Sequence, residues 1–147
     1  MSLNNLVGKT LERTTPDQAN IKRILNAAKR NIADSKIKQT SAENRFDAAY
    51  KAIMQLANVA LQASGYRTLT SVPGHHQTMI QSLAKTVSIG KDTILILDKM
   101  RKQRNVADYS GDVIPESTMK ECIKQAESLL KEVNNWLSEN HPDLIAR

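Results

Sequence analysis

The chain has 147 residues, of which 40% are hydrophobic and 24% charged, enough to bury one real core in an ordinary globular domain. One cysteine excludes an intrachain disulfide, and the longest aliphatic run, the four residues Ile94-Leu95-Ile96-Leu97, is far short of a membrane span. The net charge of +6 is uneven, with 17 Lys/Arg against 8 Asp/Glu in residues 1–111 and 4 against 7 in 112–147. That balance suits an anionic partner such as nucleic acid, or an acidic protein, while 3% aromatics leave no stacking platform for single-stranded bases.

The first nine residues hold no apolar stretch long enough for a secretory signal, so the cytoplasm is the expected compartment. Residues 1–14 read as an arm or short helix, with Leu3, Leu6 and Leu11 as its packing residues, and residues 15–140 as a single helical-bundle domain. At Thr15-Pro16-Asp17 a helix is expected to begin, with a capping hydroxyl, proline at its first position and an acid in its first turn. Ile21, Ile24, Leu25, Ala28 and Ile32 follow at helical spacing, and Lys22, Arg23, Lys29 and Arg30 form a basic outer face.

Thr40-Ser41-Ala42-Glu43 reads as a capping box, hydroxyl and glutamate three apart. The second helix then buries Phe46, Ala49, Tyr50, Ile53, Ala57, Ala60 and Leu61, and Gly65 stops it. After the turn signal Pro73-Gly74, His75-His76 opens a shorter third helix carrying Met79, Ile80, Leu83 and Val87. Adjacent histidines cannot both face one metal from one helix face, and no ligand set completes a site, so neither metal nor cofactor is expected.

Gly90 breaks the chain before a fourth helix, from about Lys91 to Asp108, ended by Ser110-Gly111-Asp112. It enters as a buried helix through Ile94 and Leu97, and the same face leads on to Arg101, Arg104 and Asp108. A line that begins as core thus ends as two guanidinium groups and a carboxylate, which need a partner, a wet cleft or an anion. Arg104 and Asp108, four apart, could simply hold one another, or the arginine stems could pack with their heads in water.

Pro115-Glu116-Ser117 restarts a helix with an apolar stripe: Met119, Cys122, Ile123, Ala126, Leu129, Leu130, Val133, Trp136 and Leu137. Cys122 reads as a small buried thiol rather than a nucleophile. His141-Pro142 closes the helix. With no useful β-alternation, no glycine-rich phosphate loop and no internal repeat, the expected fold is all-α, an antiparallel four-to-five-helix up-and-down bundle.

Over about residues 40–138 the chain resembles the HEPN superfamily of all-helical prokaryotic domains. Three pieces carry the likeness: Arg45-Phe46-Asp47-Ala48-Ala49-Tyr50-Lys51-Ala52, then Arg101-Lys102-Gln103-Arg104-Asn105-Val106-Ala107-Asp108-Tyr109, and the long last helix. Nuclease members of the family carry an arginine, a polar residue and a histidine four to six residues after the arginine. Two such motifs meet across a homodimer and cleave RNA without metal. The resemblance matches Arg104 to the arginine and Asn105 to the polar residue, but Tyr109 stands where histidine would. A phenol with a pKa near 10 is a poor base at neutral pH.

The resemblance therefore implies a homodimer that binds a nucleotide, RNA or a minimal nucleotidyltransferase partner in a toxin–antitoxin setting, without catalysis of its own. Arg101, Arg104, Asp108 and Arg45 from the second helix would line its ligand site. By analogy with related pairs, Tyr109 would accept a nucleotide from such a partner; its plain alternative is a tyrosine packed over the end of the fourth helix. A second reading is a metal-independent endoribonuclease toxin using Arg104, Asn105 and Tyr109 or Asp108. A third is a structural or regulatory bundle whose arginines are salt-bridged.

Overall fold

A computed structural model describes residues 2–111 and 113–145. Asp112, expected in the turn after the fourth helix, lies outside the described residues. Five helices build an all-α bundle: α1 (Gln18–Ser35), α2 (Ala42–Ala63), α3 (His75–Thr86), α4 (Lys91–Ser110) and α5 (Glu116–Asn140). A short α6 (Pro142–Ile145) buries Leu144 in the main core, so packing continues past residue 140, where the domain was expected to end.

α2 is the axis of the bundle. Twelve of its 22 residues are buried, which means that apolar side chains leave it in nearly every direction. It packs against α1, α3 and α5, and the alanines at 49, 57 and 60 are fully buried where neighbouring helices come close. The stripe of α5 meets it as expected, with Met119, Cys122, Ala126, Val133 and Leu137 buried. Gly65, with φ at +92°, follows the α2 C-cap in the left-handed region that an L side chain avoids.

Two helix starts differ from expectation by one or two residues. The N-cap of α1 is Asp17, whose Oδ1 accepts from the amides of Ala19 (3.0 Å) and Asn20 (3.4 Å), so Thr15 and Pro16 precede the helix. A carboxylate at that place also meets the positive end of the helix dipole, which a hydroxyl does not. At α2 the cap is Ser41, accepting from Asn44 N at 3.1 Å, while the Thr40 hydroxyl donates to the Ile37 carbonyl. No capping box forms, because the residue three beyond Ser41 is asparagine.

The N-terminal arm is not free. A 3-10 turn (Leu3–Leu6) leads into β1 (Leu11–Arg13), which pairs antiparallel with β2 (Tyr66–Thr68) directly after α2. Leu11 is fully buried, Arg67 pairs with Glu12, and Tyr66 Oη donates to Asn4 Oδ1 at 2.5 Å. The sequence reading expected no strand, since three residues are too few to display alternation.

α4 also departs from expectation. Only Leu97 and Met100 are buried in its 20 residues, and Leu95 is 59% exposed. Successive residues turn by about 100°, so four apolar residues in a row sweep most of the way round a helix. Only Leu97 of the four is buried; Ile94 and Ile96 pack partly against the core and Leu95 faces solvent.

Candidate functional site

α2, α3 and α4 enclose a cleft of about 420 Å³. From α2 come the polar ladder Asp47, Lys51, Gln55 and Asn58 and, beside it, Tyr50 and Met54. These fall three or four residues apart and so share one side of the helix. α3 contributes His76 and Met79 from its first turns, and α4 contributes Arg104.

The line from Leu97 along α4 explains how Arg104 arrives there. Leu97 is 1% exposed, and the side chains of Arg101, Arg104 and Asp108 are then 18%, 34% and 47% exposed. The helix emerges from the core as it proceeds, and Arg104 sits at the crossing from protein to solvent. Its guanidinium carbon stands 5.2 Å from the centroid of the Tyr50 ring, within cation–π reach, and its Nε is 3.7 Å from Asp108 Oδ2. That pair is long and half-exposed, and so leaves most of the donor fork free.

Tyr50 is the floor of the site. Its ring is stacked on Phe46 with centroids 6.3 Å apart, and its hydroxyl is 3.3 Å from His76 Nδ1. Burial pushes the Tyr50 phenol up to about 12 against the pull of Arg104 and Arg101, so it stays protonated at neutral pH. Burial, followed by His75, Arg104 and Arg101, lowers the His76 pKa and keeps that imidazole neutral. Burial also raises the Asp47 carboxyl, with Asp108 adding to the effect and Arg104 opposing it. The cleft thus disfavours charge on its own histidine and carboxyl groups while holding a fixed guanidinium at its edge.

The other residues singled out by sequence are dispersed. Arg101 Nε donates to Asp98 Oδ1 at 2.8 Å, and that bond holds Asp98 below the usual carboxylate range. Arg45 does not line the cleft; its Nε donates to the Ser35 carbonyl at 2.8 Å, closing the end of α1. Asn105 and Tyr109 are exposed on another side of α4, and Tyr109, 92% exposed, does not pack over the helix end. Cys122 is buried with its thiol pushed up to about 12 by burial first, in keeping with a core role.

Sequence reasoning missed His76, Tyr50, Lys51 and Asp47 as site residues. The last three lie inside the Arg45–Ala52 piece, where Asp47 and Lys51 at i,i+4 offered a signal; nothing local to α3 ties His76 to α4. Among the described residues no group of three His, Cys, Asp or Glu side chains is arranged to hold a metal ion, and no helix is long and apolar enough to cross a membrane. A family model described as HEPN domain matches residues 21–136. No curated protein matches the chain.

Proposed function

The chain belongs to the HEPN domain family, and from that premise we propose that it binds a nucleotide or an RNA segment in the cleft between α2, α3 and α4. Arg104 is the phosphate contact. One observation carries the reading: the Arg104 guanidinium, braced on the Tyr50 ring, borders a cleft that also holds Lys51, which has no ion pair among the described residues. A planar fork beside a second cation is the arrangement that phosphate oxygens take up. Titration of nucleoside monophosphates and short RNA into the wild type and Arg104→Ala tests it.

In this reading two copies pair and a minimal nucleotidyltransferase is the partner chain. Val106 and Tyr109, both exposed on α4, and Val113 beyond it supply apolar surface for such contacts, and the exposed Tyr109 phenol suits it as a nucleotide acceptor. Light scattering at micromolar concentration should return twice the chain mass; a clean monomer would count against the paired arrangement.

A second reading, metal-independent RNA cleavage, is favoured by His76 rather than by Tyr109. Tyr50 Oη and His76 Nδ1 are 3.3 Å apart. The tautomer that this reading requires is the one whose Nδ1–H donates to the phenol oxygen, which leaves Nε2 bare to take the proton of a ribose 2′-hydroxyl while Arg104 meets the charge developing on phosphate. Its pH dependence has a definite sign. A base works in its neutral form, and the groups that hold His76 neutral (burial, His75, Arg104 and Arg101) lower its pKa below the ordinary 6.5. Cleavage in chelator should therefore persist at pH 6.5 and fall only at lower pH, and His76→Ala should abolish it with binding retained. An acid limb at or above pH 6.5, or cleavage surviving in His76→Ala, would remove His76 from that role.

A further inference from the structure

We infer that the cleft selects its nucleobase by hydrogen-bond acceptors on the base edge, and so takes a guanine nucleotide in preference to an adenine nucleotide. The inference rests on nucleotide binding at Arg104 and concerns the opposite end of the same cleft.

The direction of one amide decides it. An isolated asparagine can turn its oxygen or its nitrogen to a ligand, but Asn58 sits at the end of a chain that begins with a group able only to donate. Arg23 Nη2 donates to Asn20 Oδ1 at 3.0 Å. Asn20 Nδ2 therefore faces the other way and donates to Gln62 Oε1 at 2.8 Å, and Gln62 Nε2 donates to Asn58 Oδ1 at 3.1 Å. Turning any single amide over would set two donors or two acceptors face to face. The Asn58 oxygen is thus committed, and its NH2 group, which has no partner among the described residues, is what Asn58 offers to the cleft it lines.

Gln55, three residues earlier on the same side of α2, accepts from Asn31 Nδ2 at 2.8 Å through its Oε1 and offers a second NH2 group. The two amides stand one to two turns beyond Lys51, about 6–10 Å at 1.5 Å per residue. That is the reach of a nucleoside monophosphate from its phosphate to its base. Met54 and Met79, also lining the cleft, supply polarisable thioether surface for the flat of a purine.

Guanine presents two neighbouring acceptors, O6 and N7, to such a pair of donors. Adenine presents N7 beside an N6 amino group, a donor facing a donor. One hydrogen bond is then lost and one N–H group is left without a partner, for a discrimination of about tenfold.

The test is calorimetric titration of GMP and AMP into the full chain. Wild type should bind GMP about tenfold more tightly. Asn58→Asp keeps the acceptor that Gln62 needs but replaces the cleft-facing NH2 group with an oxygen, so the GMP-to-AMP ratio should collapse or invert. Arg23→Ala provides a second variant at an exposed position outside the cleft. It frees the amide chain to turn over, and should lower the ratio with little change in AMP affinity or melting temperature. Equal affinities in wild type, a preference for AMP, or a ratio unchanged in Asn58→Asp would overturn the inference while nucleotide binding stood. Binding of neither nucleotide would overturn the reading at Arg104 and the inference with it.

Discussion

Arg104→Ala should weaken nucleoside monophosphate binding by about ten- to a hundredfold while the protein remains folded. A hydrogen bond to a charged group contributes about 1.5–3 kcal/mol, and each 1.4 kcal/mol is a factor of ten. The side chain contributes little to stability. It is 34% exposed, its partner Asp108 is 3.7 Å away and 47% exposed, and only the contact with Tyr50 draws on partial burial. Exposed pairs and cation–π contacts of this kind contribute about 1 kcal/mol or less each, so melting should fall by no more than a few degrees.

Two further readouts separate phosphate binding from a general loss. The dependence of affinity on salt should flatten by about one counterion in Arg104→Ala, since one phosphate contact has gone. Arg104→Lys should fall between wild type and alanine, because an ammonium keeps the charge and loses the fork. Arg101→Ala should bind nearly as wild type, since Arg101 is engaged with Asp98 on its own helix. Unchanged affinity in Arg104→Ala would end the phosphate role. A large melting shift in a protein that binds no nucleotide would favour the third reading, a bundle braced by salt-bridged arginines.

Phe46→Ala should cost about 3–5 kcal/mol of stability, among the largest losses a single truncation can produce here. The ring is fully buried in α2, is stacked on Tyr50 with an interplanar angle of 13°, and lies where α2 meets α5: the Cys122 thiol is 3.9 Å from the Phe46 carbonyl. Truncation leaves a cavity at the centre of the core, where α2 packs against α5 and gives little room to collapse. In a domain of this size the melting temperature should drop by about 6–20 °C, read by circular dichroism. Because Phe46 backs the Tyr50 ring, ligand affinity should decline as well. Tyr109→Ala, at a residue 92% exposed, should leave melting unchanged. A Phe46→Ala protein that melts with wild type would show that the core does not centre on α2.

The placement of the five long helices was legible because a 3.6-residue period writes the buried face into local sequence. The stripes of α1, α2 and α5 are examples, and so are the breaks at Gly65, Gly90 and Pro115. The i,i+4 relation of Arg104 and Asp108 was legible for the same reason. Helix starts were less so: Asp17, Thr15, Thr40 and Ser41 all have capping side chains, and only backbone geometry chooses among them.

The rest depended on contacts between segments distant in the chain. β1 and β2 are three residues each and more than fifty apart, so neither has a pattern of its own, and each becomes a strand only because the other is there. Arg45 looks like an anion contact until α1 ends beside it and offers the Ser35 carbonyl. Leu95 looks like core until α4 proves peripheral. The sequence by itself determined an all-α bundle with a basic line emerging from its fourth helix, since periodicity and charge are local properties. Only the tertiary structure decided that His76 of α3 and Tyr50 and Asn58 of α2 share a cleft with Arg104, because that juxtaposition is a property of how three helices pack and of no single one of them.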